Sequence, residues 1–276
     1  MKIVVIVIIL IILLYLFCLK GRNGNENLIK FQGVLFSHRG CYEKGSIPEN
    51  SLGAFRRSVE NGFGAELDVH LLKDGTLGVI HDSDLKRITG REGVVEDLSR
   101  EELKNCFLEG TKETIPVFEE VLKIFSEKTP LIVELKSYKG NSHQLCCKVA
   151  EMLDEYKGDY CIESFDPRCV EWFKKNRPSV MRGQLSADFL HHKSGKGFWA
   201  DFALTYLIGN LFTRPDFIAY NFSSRGNLSN VICKKLFKIT GVSWTIRTQE
   251  ELDTAINEGN IPIFEGFTPR QAPNIK

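Results

Sequence analysis

Short β-branched and apolar runs recur along this chain with stretches of helical period between them, and this alternation restricts the fold more than any other feature. The runs fall at 33–37, 65–69, 77–80, 131–135, 160–165, 180–185, 217–220, 242–246 and 261–264. Between them, Leu52, Phe55 and Val59 mark one helix face behind a cap at Asn50 or Ser51, with a stop near Gly62. Phe118, Val121, Leu122 and Phe125 repeat the pattern, as do Leu145, Val149, Met152 and Tyr156. Repeated β/α units with no glycine fingerprint for a dinucleotide predict an α/β fold, an eight-stranded TIM-like barrel rather than an open doubly wound sheet.

Composition narrows the class. At 43% hydrophobic and 26% charged residues the chain is globular, neither disordered nor a multi-span membrane protein. Its 36 basic residues balance 35 acidic ones, and the basic ones are neither clustered nor interleaved with aromatics, so no nucleic-acid partner is expected. The eight cysteines form no CxxC pair, which argues against zinc. An odd number outside the first stretch suits a reducing compartment.

Residues 3–19 are all apolar or aromatic. At about 1.5 Å per residue they make roughly 26 Å of helix, a marginal match to a hydrocarbon core of about 30 Å, and a single-pass N-terminal transmembrane anchor is predicted. No A-x-A pattern follows to mark a cleaved signal peptide, and Phe17 before Cys18 argues against lipoprotein processing. Lys2 opposes Lys20, Arg22 and Lys30 across the run, a small bias that puts the main domain on the cytoplasmic side. Residues 20–30 read as a polar linker and 31–276 as the barrel domain. One further segment, 198–212, is unusually aromatic and follows the basic stretch 191–196. It reads as a barrel helix with a broad buried face or, alternatively, as an interfacial helix meeting membrane lipid.

Acidic residues gather near strand ends. Residues two apart on a strand share a face, so Glu66 and Asp68 project together, and Glu134 and Lys136 repeat the geometry. Carboxylates inside a barrel are costly unless a positive charge holds them. Lys136 can compensate one of the three, and the alternatives for the rest are Arg/Lys ion pairs or one divalent cation. All-oxygen ligation suits Mg²⁺ or Ca²⁺ better than zinc. His38 and His81 follow strand-like runs and titrate near neutrality, so one can accept a proton while the other donates. Arg39 can hold a phosphate through two hydrogen bonds.

In order and spacing, His38-Arg39-Gly40, Pro48-Glu49-Asn50-Ser51, Glu66-Leu67-Asp68-Val69, Lys73-Asp74-Gly75, His81-Asp82 and Glu134-Leu135-Lys136 resemble the glycerophosphodiester phosphodiesterase family. The similarity continues through Glu163-Ser164-Phe165-Asp166 and Trp244-Thr245. It implies a barrel with a small inserted subdomain at about 82–116. It also implies metal-dependent hydrolysis of glycerophosphodiesters, such as glycerophosphocholine or glycerophosphoethanolamine, to sn-glycerol 3-phosphate and an alcohol. Carried over by position, Glu66, Asp68 and Glu134 would bind one Mg²⁺ or Ca²⁺, with His38 and His81 as acid and base. Arg39 and Lys136 would contact phosphate, and Glu49, Phe165 and Trp244 would be substrate or supporting contacts. The last strand departs from the family's usual Gly-Ile-Ile-Thr-Asp run, reading Ile261-Pro262-Ile263-Phe264-Glu265-Gly266. Two alternatives stand beside this reading: a lysophospholipase D acting at a membrane surface, and an inactive membrane-anchored binding protein.

Overall fold

The computed structural model describes residues 1–195 and 197–270. Helix α1 (Lys2–Cys18) comes first, and then strand β1 (Phe36–His38), helix α2 (Leu52–Glu60) and strands β2 (Gly64–Leu71) and β3 (Leu77–Val79). Helices α3 (Lys86–Thr89), α4 (Arg100–Leu103) and α5 (Phe118–Phe125) lead to β4 (Leu131–Leu135). The chain continues through α6 (Ser142–Asp154), β5 (Tyr160–Ser164), α7 (Pro167–Asn176), β6 (Arg182–Ser186), α8 (Phe198–Thr205), α9 (Asn210–Thr213) and β7 (Phe217–Asn221). It ends in α10 (Leu228–Lys235), β8 (Thr240–Ile246), α11 (Gln249–Asn257) and β9 (Ile261–Phe264).

Eight of these strands close a parallel barrel, because β1 pairs with both β2 and β9. The exception is β3. It runs antiparallel to the far end of β2, where Val69, His70 and Leu71 continue past the last residue that β2 pairs with β1, His38 against Glu66. The expected run at 77–80 is therefore a hairpin arm at the rim, not a barrel stave. Beyond it, residues between β3 and α5 pack on their own apolar cluster, with Leu85, Ile88, Val95, Leu103 and Ile115 at its centre.

The barrel interior is filled by Phe36, Ile132, Cys161, Phe217 and Val242, and the helices bury a second layer built on Leu67, Phe118, Val133 and Ile162. Gly183 shows how tightly the interior is filled: a Cβ there would stand 2.0 Å from the Phe217 ring. Ser51 caps α2 through Ala54 N (3.1 Å), which decides between the two candidate caps. This cap holds the loop carrying Arg39, Glu49 and Asn50 against the rim.

One expectation is corrected at the N-terminus. Among the described residues no helix is long and apolar enough to cross a membrane. The physical reason is that the end of the apolar run is spent on the barrel: Cys18 and Leu19 are buried, and Leu19 packs with Ile218 and Tyr220. The polar linker is also anchored, since Arg22 clasps Asp216 at 2.6 and 2.8 Å. The aromatic stretch 198–212 is not one continuous helix, but α8 and α9 separated by a turn. Of the basic stretch before it, Lys196 lies outside the described residues.

Candidate active site

Strand register assembles the acidic cluster. In the parallel ladder His38 lies against Glu66, Asp68 against Glu134, and Glu134 against Glu163, so neighbouring staves present polar side chains at one level. Ligand oxygens of Glu66, Asp68 and Glu134 all come within 4.8 Å of one another, and all three residues are buried. This level is the C-terminal end of the barrel, where the loops converge.

The surrounding charges are fixed by short contacts. Lys136 Nζ sits 2.9 Å from Asp68 Oδ1 and 2.8 Å from Glu134 Oε1. Asn50 Nδ2 donates to Asp68 Oδ2 (2.8 Å), and the Arg39 backbone N–H donates to Glu66 Oε2 (3.1 Å). Arg39 has a left-handed backbone, φ 56°, that aims its amide inward. Its guanidinium reaches Glu49 Oε1 at 2.9 Å and lies 3.6 Å from Asp68. Glu49 is in turn gripped by Arg87 at 2.6 Å.

Electrostatics within the cluster are uneven. Burial, reinforced by Asp68 and Glu134, pushes the Glu66 carboxyl well above the usual range. Burial would raise Asp68 too, but Lys136, His81, Arg39 and the Asn50 amide together hold it well below. Burial lifts Glu134, with Lys136 opposing. Burial works against the charge on Lys136, and Asp68 and Glu134 outweigh it, keeping the ammonium. Glu163, 1% exposed, is raised by burial and by Glu134, and its Oε2 has no hydrogen-bond partner among the described residues. Four carboxylates thus face two fixed cations, Lys136 and Arg39. These clustered hard oxygen donors, two of them in carboxyls that burial holds back from ionising until a positive charge joins them, are chemistry that a divalent cation fits.

Both histidines stand beside the cluster, each with a carboxylate behind it. His38 Nδ1 lies 2.5 Å from Glu265 Oε2, while its Nε2 faces Glu66 at 3.9 Å. Burial lowers the His38 pKa, with Glu265 opposing, so the ring is neutral near pH 7. His81, after the β3 arm, places Nδ1 2.6 Å from Asp82 Oδ1, and Asp82 is held by Arg87. The backbone carbonyl of His81 is 3.2 Å from His70 Nε2, and His70 is paired to Glu96 at 2.7 Å. A carboxylate on Nδ1 fixes the tautomer and leaves Nε2 of each ring as the working nitrogen.

A pocket lined by His38, Arg39, Glu66, His81, Glu163 and Trp244 opens over these groups. Phe165 forms its wall, edge-on to Trp244 (5.7 Å) and to Phe189 (5.6 Å). Trp244 Nε1 is buried without an acceptor among the described residues. The structure therefore brings His38, Arg39, Glu49, Glu66, Asp68, His81, Glu134, Lys136, Phe165 and Trp244 together at this end of the barrel. Sequence reasoning missed the parts played by Glu265, Asn50, Glu163 and Asp82. The signal for Glu163 was present, since it repeats the strand-end carboxylate pattern of Glu66 and Glu134.

Residues 38–264 match the model of the Glycerophosphoryl diester phosphodiesterase family. A glycerophosphodiester phosphodiesterase of Bacillus altitudinis is 36% identical over 168 residues, 57% of this chain and 68% of that protein. A lysophospholipase D of Rattus norvegicus is 36% identical over 144 residues, covering 48% of this chain and 44% of its own length. Among solved structures, an Oleispira antarctica phosphodiesterase in complex with the product sn-glycerol-3-phosphate superposes with a TM-score of 0.68 at 22% identity, over 85% of this chain and 93% of that one. At that identity the likeness speaks for the fold.

Proposed function

Because this chain belongs to the glycerophosphoryl diester phosphodiesterase family, we propose that it hydrolyses glycerophosphodiesters to sn-glycerol 3-phosphate and an alcohol, with residues 31–276 as the catalytic unit. The observation that carries this reading is the meeting of three buried carboxylates with two carboxylate-backed imidazoles at one barrel mouth.

Glu66, Asp68 and Glu134 would hold one divalent cation, Mg²⁺ or Ca²⁺. Such an ion polarises a phosphoryl oxygen and neutralises charge developing on it. The other tasks fall to side chains. Arg39 and Lys136 flank the cluster as fixed cations and orient the phosphate. His38, neutral through burial and steadied by Glu265, is suited to accept a proton at Nε2. His81, with Asp82 ready to stabilise an imidazolium, is suited to deliver one to the departing alkoxide. Glu49 keeps Arg39 in place, while Phe165 and the Trp244 indole wall the pocket. Paired general acid and base account for about 10²- to 10⁴-fold of rate, so positioning and electrostatics must supply the rest.

The direct test is release of glycerol 3-phosphate from glycerophosphocholine with Mg²⁺, Ca²⁺ or a chelator. Activity that requires an added divalent ion supports the reading. Full activity after exhaustive chelation, or none with any diester and ion, overturns it.

A further inference from the structure

We infer that the chain docks on a lipid bilayer with the C-terminal mouth of the barrel facing the membrane, dipping the outer part of α1 into one leaflet beside the aromatic rim helix α8.

The occupant follows from α1 itself. Ile3 to Leu14 are all aliphatic, and each is exposed, by 47% at the least. A protein groove covers one face of a helix, and a helix apolar all round requires apolar surroundings on every side, as hydrocarbon provides. Those twelve residues make about 18 Å of helix, too little to cross a core about 30 Å thick, so the helix lies obliquely in one leaflet with the Lys2 ammonium reaching back to the headgroups.

The orientation follows from where the helix is tied down. Arg214 Nη1 bonds the carbonyls of Phe17 (2.8 Å) and Lys20 (3.0 Å), and the Arg214 carbonyl accepts from Arg182 at the start of β6, the closed end of the barrel. Three residues before Cys18, the Tyr15 hydroxyl donates to the Tyr206 carbonyl (3.4 Å). The neighbouring Thr205 carbonyl accepts from Tyr220, near the C-terminal end of β7. Between Lys20 and Tyr15 the helix therefore climbs from the closed end to the rim. Its direction carries Leu14 to Lys2 out past the mouth.

Helix α8 lies on that same rim, since the Leu204 carbonyl accepts from Ser186 at the end of β6 (2.7 Å). It presents Phe198 at 62% and Trp199 at 78% exposure, and ring contacts through Phe202 lead to Tyr206, where α1 is tied. Exposed Lys193 precedes it in the rim loop. An aliphatic rod flanked by Trp, Phe and Lys is the make-up of an interfacial anchor. If the proposed activity holds, the diesters that reach the pocket from this surface are those carrying an acyl chain.

Vesicles of phosphatidylglycerol and acyl-brominated phosphatidylcholine test the geometry on the full chain. They should quench the tryptophan fluorescence of the native protein, and Trp199→Phe should remove most of that quenching. Ile29 is exposed next to Lys30, which pairs with Asp159 ahead of β5 at the closed end; Ile29→Trp in the Trp199→Phe background should stay unquenched. Ile8→Asp with Ile12→Asp should lower vesicle affinity more than tenfold, because each places a charge in hydrocarbon. No quenching of the native protein, or quenching of the Ile29→Trp reporter, overturns the inference. On vesicle-borne lysophosphatidylcholine the native protein should outpace the double Asp variant several-fold, with equal rates on glycerophosphocholine. Equal rates on both substrates contradict the inference. No hydrolysis of either substrate refutes the proposed activity instead, and the quenching result then decides docking alone.

Discussion

Glu265 Oε2 lies 2.5 Å from Nδ1 of His38, joining the end of the last barrel strand to the end of the first. Arg247 grips the other Glu265 oxygen at 2.5 Å, so the carboxylate is fixed from both sides. Burial alone would raise its pKa, and His38 and Arg247 bring it down to about 2. Because the folded-state pKa is depressed, the stabilisation is complete above the ordinary carboxylate value of 4.5 and fades as pH falls from there toward 2. Glu265→Gln should therefore cost about 1–3 kcal/mol at pH 7, with the gap to the native protein closing as the medium is acidified. Urea melts at pH 7, 4 and 3 measure it. A pH-independent gap would assign Glu265 a packing role only. The same variant should lose roughly tenfold or more in kcat, since general-base efficiency depends on the tautomer that Glu265 fixes.

Glu163 predicts the opposite slope. Its pKa is raised by burial and by Glu134, so the folded state favours the protonated acid, and its charge becomes a liability as pH rises above 4.5. Glu163→Gln keeps the shape and removes the charge. Without added metal, the variant should gain on the native protein by about 1–3 kcal/mol between pH 5 and pH 8. Thermal melts in chelator across that range give the answer, and a native protein more stable than the variant at pH 8 would refute this account of the residue.

The Asn50 side chain acts on Asp68. Its amide donates at 2.8 Å to a carboxylate with 0% exposure, from a left-handed backbone at φ 54°. Asn50→Ala removes the donor and places a Cβ-bearing residue with no compensating side-chain bond in that conformation. The expected loss is about 1–3 kcal/mol. Asn50→Gly, which relieves the backbone and still lacks the donor, should recover part of the stability and none of the metal affinity. Recovery of both would mean that the amide does not matter to the site.

The barrel was legible because its signals are local. The runs at 131–135 and 261–264 coincide with β4 and β9, and Ser51 caps its helix as an N-cap should. The Glu66/Asp68 spacing announces two carboxylates on one face, and strand register brings in Glu134. What could not be read depends on long-range placement. A three-residue arm such as β3 resembles a stave until its antiparallel partner is known. Glu265 is 227 residues from His38, and no periodicity links a histidine to a carboxylate over that separation. The apolar N-terminal run is a true helix, but its membrane reading assumed that all of it was free, whereas Cys18 and Leu19 pack on the barrel.

The central claim is that Glu66, Asp68 and Glu134 form one site for a hard divalent ion and that the histidines act beside it. Calorimetric titration with Mg²⁺ and Ca²⁺, run alongside glycerol 3-phosphate release, tests this most directly on the native chain, Glu66→Gln and His81→Ala. The account predicts one ion per chain for the native protein. Binding should be weakened at least tenfold with turnover lost in Glu66→Gln, and near-native binding should accompany about a 10²-fold or greater loss of turnover in His81→Ala. Absence of ion binding by the native protein, or Glu66→Gln binding and turning over as well as the native chain, would contradict it.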